Sequence, residues 1–333
     1  MTSSSSRDTV KFYFKCSLVM IAVLGMAANG LVLYALVASR QHKKHVLIVN
    51  QNALDCLSCL LLVITYSLQL SSPRLTDDAA GSYVLCTLLL SEALSSSAIL
   101  ASIINLACVT VERYLRVVHA TWSKTKLRQW MIYTAMLLTW VSALTYSLAL
   151  VFPTTVVTDG VCYAYTVWKN PESSIVWMTW NFILFYVIIL FIFIFCYWRI
   201  VRVIRRQAAV MAGHSADAAA AAGQLHSLHQ TQTNVIKTMI LVSTFYAVSW
   251  LPNYIFVLFL NLNRSSRVLP DSGYYASVLI ALVYICTNPF IYATKFDPVK
   301  QVLLRIMPCR KTSHQVSVNV ITVRSVRTSH YTN

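Results

Sequence analysis

Residues 277–294 read SVLIALVYICTNPFIYAT, an apolar run long enough to cross a bilayer, followed at once by Lys295 and a polar, basic tail. The pair Asn288-Pro289 interrupts it near its end, with Phe290, Ile291 and Tyr292 behind. Proline removes a backbone hydrogen bond and bends the helix that carries it. Hydrocarbon supplies no replacement partner, so the neighbouring amide is placed to re-satisfy freed backbone groups or hold a water. Prolines and lone amides also occur in ordinary bundles, so this run alone predicts a kinked membrane helix and no more.

Six similar runs precede it. The expected spans are roughly 14–38, 46–70, 83–109, 130–152, 174–198, 235–261 and 274–294. A composition with 57% hydrophobic and 11% charged residues, and a mean hydropathy of +0.61, excludes the soluble class. The fold expected is an all-α membrane protein, a seven-helix bundle. Met1 to Lys15 is polar and the first span is too long for a signal peptide's apolar core, so that span is expected to be an uncleaved anchor. The layout read from the sequence is an extracellular N-terminus at 1–13, the bundle at 14–294, an amphipathic helix at 295–308 and a disordered cytosolic tail at 309–333.

A net charge of +16 raises the question of nucleic acid, but its distribution argues against that. With the N-terminus outside, only Arg7, Lys11, Lys15, Arg74, Lys169, Arg264 and Arg267 of the 27 basic residues fall on the outer side. That asymmetry sets the N-terminus out and the C-terminus in at the plasma membrane, and the inner charge faces membrane lipids. Asp77, Asp78, Asp159, Glu172 and Asp271 make the outer loops acidic.

Of nine cysteines, five lie within spans, where a small buried hydrophobe is the ordinary role. Cys86 and Cys162 share the oxidising face and are the best disulfide candidates, with Cys16 the competitor. Cys309 lies by the inner surface beside Arg310 and Lys311, a palmitoylation candidate. Residues 156–163 alternate β-branched side chains about Asp159-Gly160, which predicts a β-hairpin. The alanine run 218–222 predicts helical extensions of spans five and six, with a flexible linker as the alternative. Phe296, Val299, Val302, Leu303 and Ile306 fall at helical spacing, which predicts the interfacial helix.

Ionisable residues inside a membrane are costly and are functional candidates by default. Asp55 in span two is the clearest, with Asn29, Asn50 and Asn52 forming a polar strip near it. Its bland alternative is a protonated aspartate bonded within the bundle. Glu112-Arg113-Tyr114 ends span three; an adjacent carboxylate and guanidinium neutralise each other until another partner arrives. Trp250-Leu251-Pro252 adds a second proline bend behind a large aromatic. Each of these is weak alone.

Together they resemble the rhodopsin-like (class A) G-protein-coupled receptors, over about residues 14–309. Asn29 with Val32, Asp55, Cys86, Glu112-Arg113-Tyr114, Trp140, Cys162, Tyr197, Trp250 with Pro252, and Asn288-Pro289-x-x-Tyr292 stand in that family's order and spans. The resemblance implies a receptor that shifts between two conformations, with no covalent chemistry. It implies that Arg113, with Glu112 and Tyr114, engages a heterotrimeric G protein and that Trp250 responds to ligand. Tyr197, Pro252, Asn288, Pro289 and Tyr292 would rearrange on activation. Asp55, with Asn29, Ser102 and Asn288, would form a sodium site, the one cofactor to be weighed. Arrestin and receptor kinases would act at Thr312, Ser313, Ser317 and their neighbours in the tail.

The departures from the family pattern are specific. Ile189 replaces the span-five proline, Ser249 the cysteine before Trp250, and Ala120 a loop proline. Cys86 precedes Arg113 by 27 residues, slightly more than usual, so a bulge is expected in outer span three. Tyr284 replaces the polar partner of Asp55 one turn before Asn288, which opposes sodium binding. Gln232 replaces the acid near Arg113 that would latch the resting state.

For the ligand, Ser95 stands where aminergic receptors carry an aspartate, and Leu282 where opsins carry a lysine. A peptide, a lipid or another small molecule remains. The hairpin and acidic loops favour a peptide with a basic residue, and Glu92 is the carboxylate placed to meet it. Trp177, Trp180, Asn181, Tyr254, Tyr274 and Tyr275 lie at the same depth, where aromatics also form interfacial belts. Asn263 sits in a sequon too close to the membrane to be a good acceptor. Among other classes, a transporter would show repeated halves, and an enzyme would need a nucleophile, base or metal cluster that the eight histidines do not provide. An atypical receptor that does not couple is the alternative within the fold.

Overall fold

In hydrocarbon a backbone amide is satisfied only inside its own helix or a closed barrel, and each apolar run of this chain takes the first solution. The computed structural model describes residues 2–76, 80–168, 170–213, 219–262, 271–295 and 297–306. Its elements are α1 (Thr2–Ala38), α2 (Val46–Ser71), α3 (Ala80–Leu85), α4 (Ala93–Val118), α5 (Ala120–Lys126), α6 (Gln129–Thr154), β1 (Val156–Thr158), β2 (Val161–Tyr163), α7 (Pro171–Phe182), α8 (Ile188–Gly213), α9 (Ala219–Leu262), α10 (Asp271–Lys295) and α11 (Asp297–Ile306). Seven spans result, the third made of α3 and α4 and the fifth of α7 and α8. Cys309 and the tail lie outside the described residues, as do Asn263 and the side chain of Gln232.

Helix α1 packs on α2 and α10, α2 on α4, and α4 on α6 and α8, while α9 lies along α10. The helix begins at Thr2, well before the hydropathy edge, and at that edge Phe14 stacks on Tyr275 (centroids 4.4 Å apart) and meets Tyr66 edge-on. Gly25 lets α1 close on its neighbours: a Cβ there would sit 2.7 Å from the sulfurs of both Cys59 and Cys286. Leu137, Leu138, Phe191, Ile194, Val248 and Phe290 face outward, as lipid contact requires.

Two spans depart from α geometry. In the third, Ser91 N–H donates to the Cys86 carbonyl (2.9 Å), five residues back, which makes 86–90 a wide turn. Glu92 then adopts φ 66°, a left-handed conformation that is costly for a residue with a side chain. The surplus length between Cys86 and Arg113 is absorbed there. The fifth span has a second wide turn at 183–187, ending two residues before Ile189, the position without the expected proline. Such a turn frees carbonyls, and two tyrosines bridge it to α9: Tyr246 donates to Phe185 O, and Tyr186 donates to Ala247 O at 2.9 Å.

The hairpin β1–β2 pairs Val157 with Cys162 about a turn in which Asp159 (φ 54°) and Gly160 (φ 71°) are both left-handed. A disulfide joins Cys162 to Cys86, Cα atoms 5.5 Å apart, and holds the hairpin over the outer end of the bundle.

Candidate functional site

Three polar layers stack along the bundle. The outermost is a cavity of about 470 Å³ beneath the hairpin, reaching from Glu92 and Tyr165 to Trp250. Six of the residues expected at this level line it: Glu92, Trp177, Asn181, Trp250, Tyr254 and Tyr274. Three do not. Trp180 points outward, half exposed. Tyr275 stacks on Phe14 and Tyr274. Ser95 is buried and turns its hydroxyl back onto the Glu92 carbonyl (3.0 Å), and Ser96 faces the cavity instead. The offset from Ser95 to Ser96 follows from the wide turn and left-handed Glu92, which rotate outer span three relative to a regular helix.

Glu92 is the acidic residue of this cavity. Its carboxylate accepts from Tyr66 OH at 2.9 Å, and among the described residues no cationic nitrogen lies within 4.0 Å of it. Lys15 of α1 acts on it from farther away, its ammonium donating to Gln69 O at 3.4 Å. Tyr165, in the loop after β2, completes the wall; burial, and then the charge of Glu92, push its phenol up to about 12. The floor is aromatic: Trp250 lies between Tyr254 (5.9 Å) and Tyr246 (6.5 Å).

The midplane layer is centred on Asp55, fully buried. Ser102 Oγ donates to Asp55 Oδ1 at 2.5 Å and Asn288 Nδ2 to Oδ2 at 2.9 Å, joining α2, α4 and α10. Gln51, one helical turn before Asp55 on the same face, donates to Ser102 Oγ and approaches both carboxylate oxygens at 3.4 and 3.5 Å. Asn29 is elsewhere: its amide donates to Gly25 O (2.9 Å) and Ile285 O (3.2 Å), bridging α1 to α10.

At the inner face, Glu112 pairs with Arg116 (2.6 Å) more closely than with Arg113 (3.4 Å). Arg113 instead meets Nδ1 of His45, immediately before α2, at 2.9 Å. Burial first, and the guanidinium second, lower that imidazole to about 4. It is therefore neutral near pH 7, and its unprotonated nitrogen can accept from Arg113. Tyr197 OH bonds Thr110 Oγ1 (2.9 Å) and Ser243 Oγ (3.0 Å). Tyr292 OH, also buried, has no hydrogen-bond partner among the described residues. Tyr114 OH meets His119 at 3.1 Å.

Sequence reasoning missed Gln51, Asn105, Tyr66, Tyr165, Tyr246 and His45. Gln51 carried a signal, an amide one turn from a buried acid. His45 carried none, since its partner lies 68 residues away.

The profile of the 7 transmembrane receptor (rhodopsin family) matches residues 28–292, most of the chain, from within the first span to near the end of the seventh. The chain belongs to that family. It is a G-protein-coupled receptor and a multi-pass protein of the plasma membrane. Rat (Rattus norvegicus) melanin-concentrating hormone receptor 1 is 25% identical over 326 residues, covering 92% of this chain and 85% of that one. Mouse (Mus musculus) neuropeptide Y receptor type 4 is 24% identical over 292 residues (81% and 72%). Rat somatostatin receptor type 4 is 23% identical over 304 residues (89% and 73%).

Proposed function

We propose that this receptor is switched by an extracellular peptide whose basic group meets Glu92, with the N-terminus outside and the C-terminus in the cytosol. The observation that carries the reading is the cavity itself: a lone carboxylate, held by a tyrosine and without a cation at contact distance among the described residues, above a floor formed by Trp250. A desolvated carboxylate of this kind gains most from a charge-assisted partner. The relatives named for peptide hormones and neuropeptides support the ligand class. Movement of Trp250 would be passed through Tyr246 to the wide turn of span five and through Tyr284 to α10. At the inner end, Arg113 leaves His45 for the G protein, and Tyr197, Asn288 and Tyr292 rearrange around it. Arrestin and receptor kinases act on the tail.

The test is G-protein activation in cells, without ligand and against a library of peptides with and without a basic residue. Wild type is compared with Arg113→Ala and Glu92→Gln at matched surface expression. Arg113→Ala is expected to abolish the signal, and Glu92→Gln to weaken basic peptides by about 10–100-fold, the size of a lost charged hydrogen bond. Equal potency on Glu92→Gln would remove Glu92 from the ligand site. A signal surviving Arg113→Ala would overturn the coupling role.

A further inference from the structure

We infer that the side-chain amide of Gln51 does the work of a cation at Asp55, and that this receptor takes no sodium ion there. The argument is one of hydrogen-bond polarity. An indole N–H donates and never accepts. Trp140 Nε1 donates to Asn50 Oδ1 at 3.2 Å, so the NH₂ of Asn50 faces Asn105 Oδ1, 2.8 Å away. Asn105 therefore turns its own NH₂ to Gln51 Oε1 (2.9 Å) and Leu47 O (3.0 Å). With its oxygen committed to Asn105, Gln51 has only N–H bonds left to present to Ser102 and Asp55. One donor-only group on α6 thus sets the orientation of three amides in turn and aims the last at the carboxylate.

The fit to sodium fails at the same atoms. A hard cation needs oxygen lone pairs. Ser102 Oγ gives its proton to Asp55 and accepts one from Gln51. Asp55 already faces Ser102, Asn288 and Gln51, three donors on two oxygens. Asn288 turns nitrogen, not oxygen, towards Asp55. On its α2–α4 side the site presents protons where an ion would need lone pairs, leaving only Asn288 Oδ1 and Tyr284 OH without partners among the described residues, and a positive charge would have to displace the Gln51 amide to reach both Asp55 and Ser102. Gln51 is a positioning residue in this scheme: it keeps the carboxylate bonded on the α2–α4 side even when Asn288 moves away with α10.

The measurement is melting temperature of purified full-length receptor in sodium chloride against N-methylglucamine chloride at matched ionic strength. Wild type and Asp55→Asn are each expected to melt at the same temperature in both salts. Gln51→Leu, which frees a lone pair on Ser102 and uncovers Asp55, is expected to gain a sodium-specific rise of about 2–4 °C, the shift that roughly tenfold saturation gives. That rise should vanish in Gln51→Leu/Asp55→Asn. A sodium-specific rise in wild type that Asp55→Asn removes would overturn the inference. No rise in a folded Gln51→Leu would show that the amide is not what excludes the ion. Should Gln51→Leu fail to fold, sodium-23 NMR on wild type against Asp55→Asn decides: equal linewidths support the inference, and broadening specific to wild type overturns it.

Discussion

The two sides of Asp55 are built on different principles. Towards α4 and α6, every polar atom of Gln51, Asn50, Asn105 and Ser102 that faces the cluster meets a partner of the right sense. Towards α10, Asn288 Oδ1, Tyr284 OH and Tyr292 OH are buried without one among the described residues. A buried polar group without a partner costs free energy that a hydrogen bond would recover. The α4 side has nothing to gain from rearrangement, whereas the α10 side has several bonds still to form. Helix α10, which carries Pro289 in its interior, is accordingly the element with a reason to move.

The comparison breaks first at Asn105. Asn105→Leu removes three hydrogen bonds and orphans Asn50 Nδ2 and Gln51 Oε1, so the melting curve should show a loss of about 2–4 kcal/mol; a loss under 1 kcal/mol would mean that the relay contributes little. Next is Tyr197→Phe, which takes one partner from Thr110 and one from Ser243 and should cost about 1–2 kcal/mol by the same measurement. A third test lies where the inner face closes on Arg113. His45 binds a proton less readily when folded (about 4) than its ordinary 6.5, so the unfolded chain takes up the proton first. Its contribution to stability is complete above pH 6.5 and is lost as pH falls towards 4. Thermal stability of His45→Gln, which accepts from Arg113 without titrating, should fall less over that window than wild type. The smallest effect sharpens the contrast: Tyr284→Phe and Tyr292→Phe remove hydroxyls that have no partner here, so resting stability should change by about 0.5 kcal/mol or less. Tyr292→Phe should still reduce G-protein activation if, as proposed, its hydroxyl finds its partner in the active state. A marked drop in resting stability would place the two sides on the same footing.

Much of this was legible in the chain. Seven apolar runs, two in-span proline bends and the acid-arginine pair each announce themselves within a few residues, and the outer bulge followed from counting between Cys86 and Arg113. The hairpin followed from Asp159-Gly160, because a two-residue left-handed turn is a local property. The ligand level was read less well. Ser95, Trp180 and Tyr275 are at the right depth, but facing depends on helix phase, which the wide turn and Glu92 reset for Ser95, and on packing between helices, which turns Tyr275 onto Phe14.

Depth, then, is what the amino-acid sequence determines by itself: hydrocarbon tests each segment separately for apolarity and backbone satisfaction, so spans and their polar interruptions are written locally. Direction is what only the tertiary structure decides. Whether an amide shows oxygen or nitrogen to Asp55 depends on an indole 85 positions away from it on α6, and the partner of Arg113 depends on where α2 begins. Hydrogen-bond polarity passes from neighbour to neighbour across helices, and no single segment contains it.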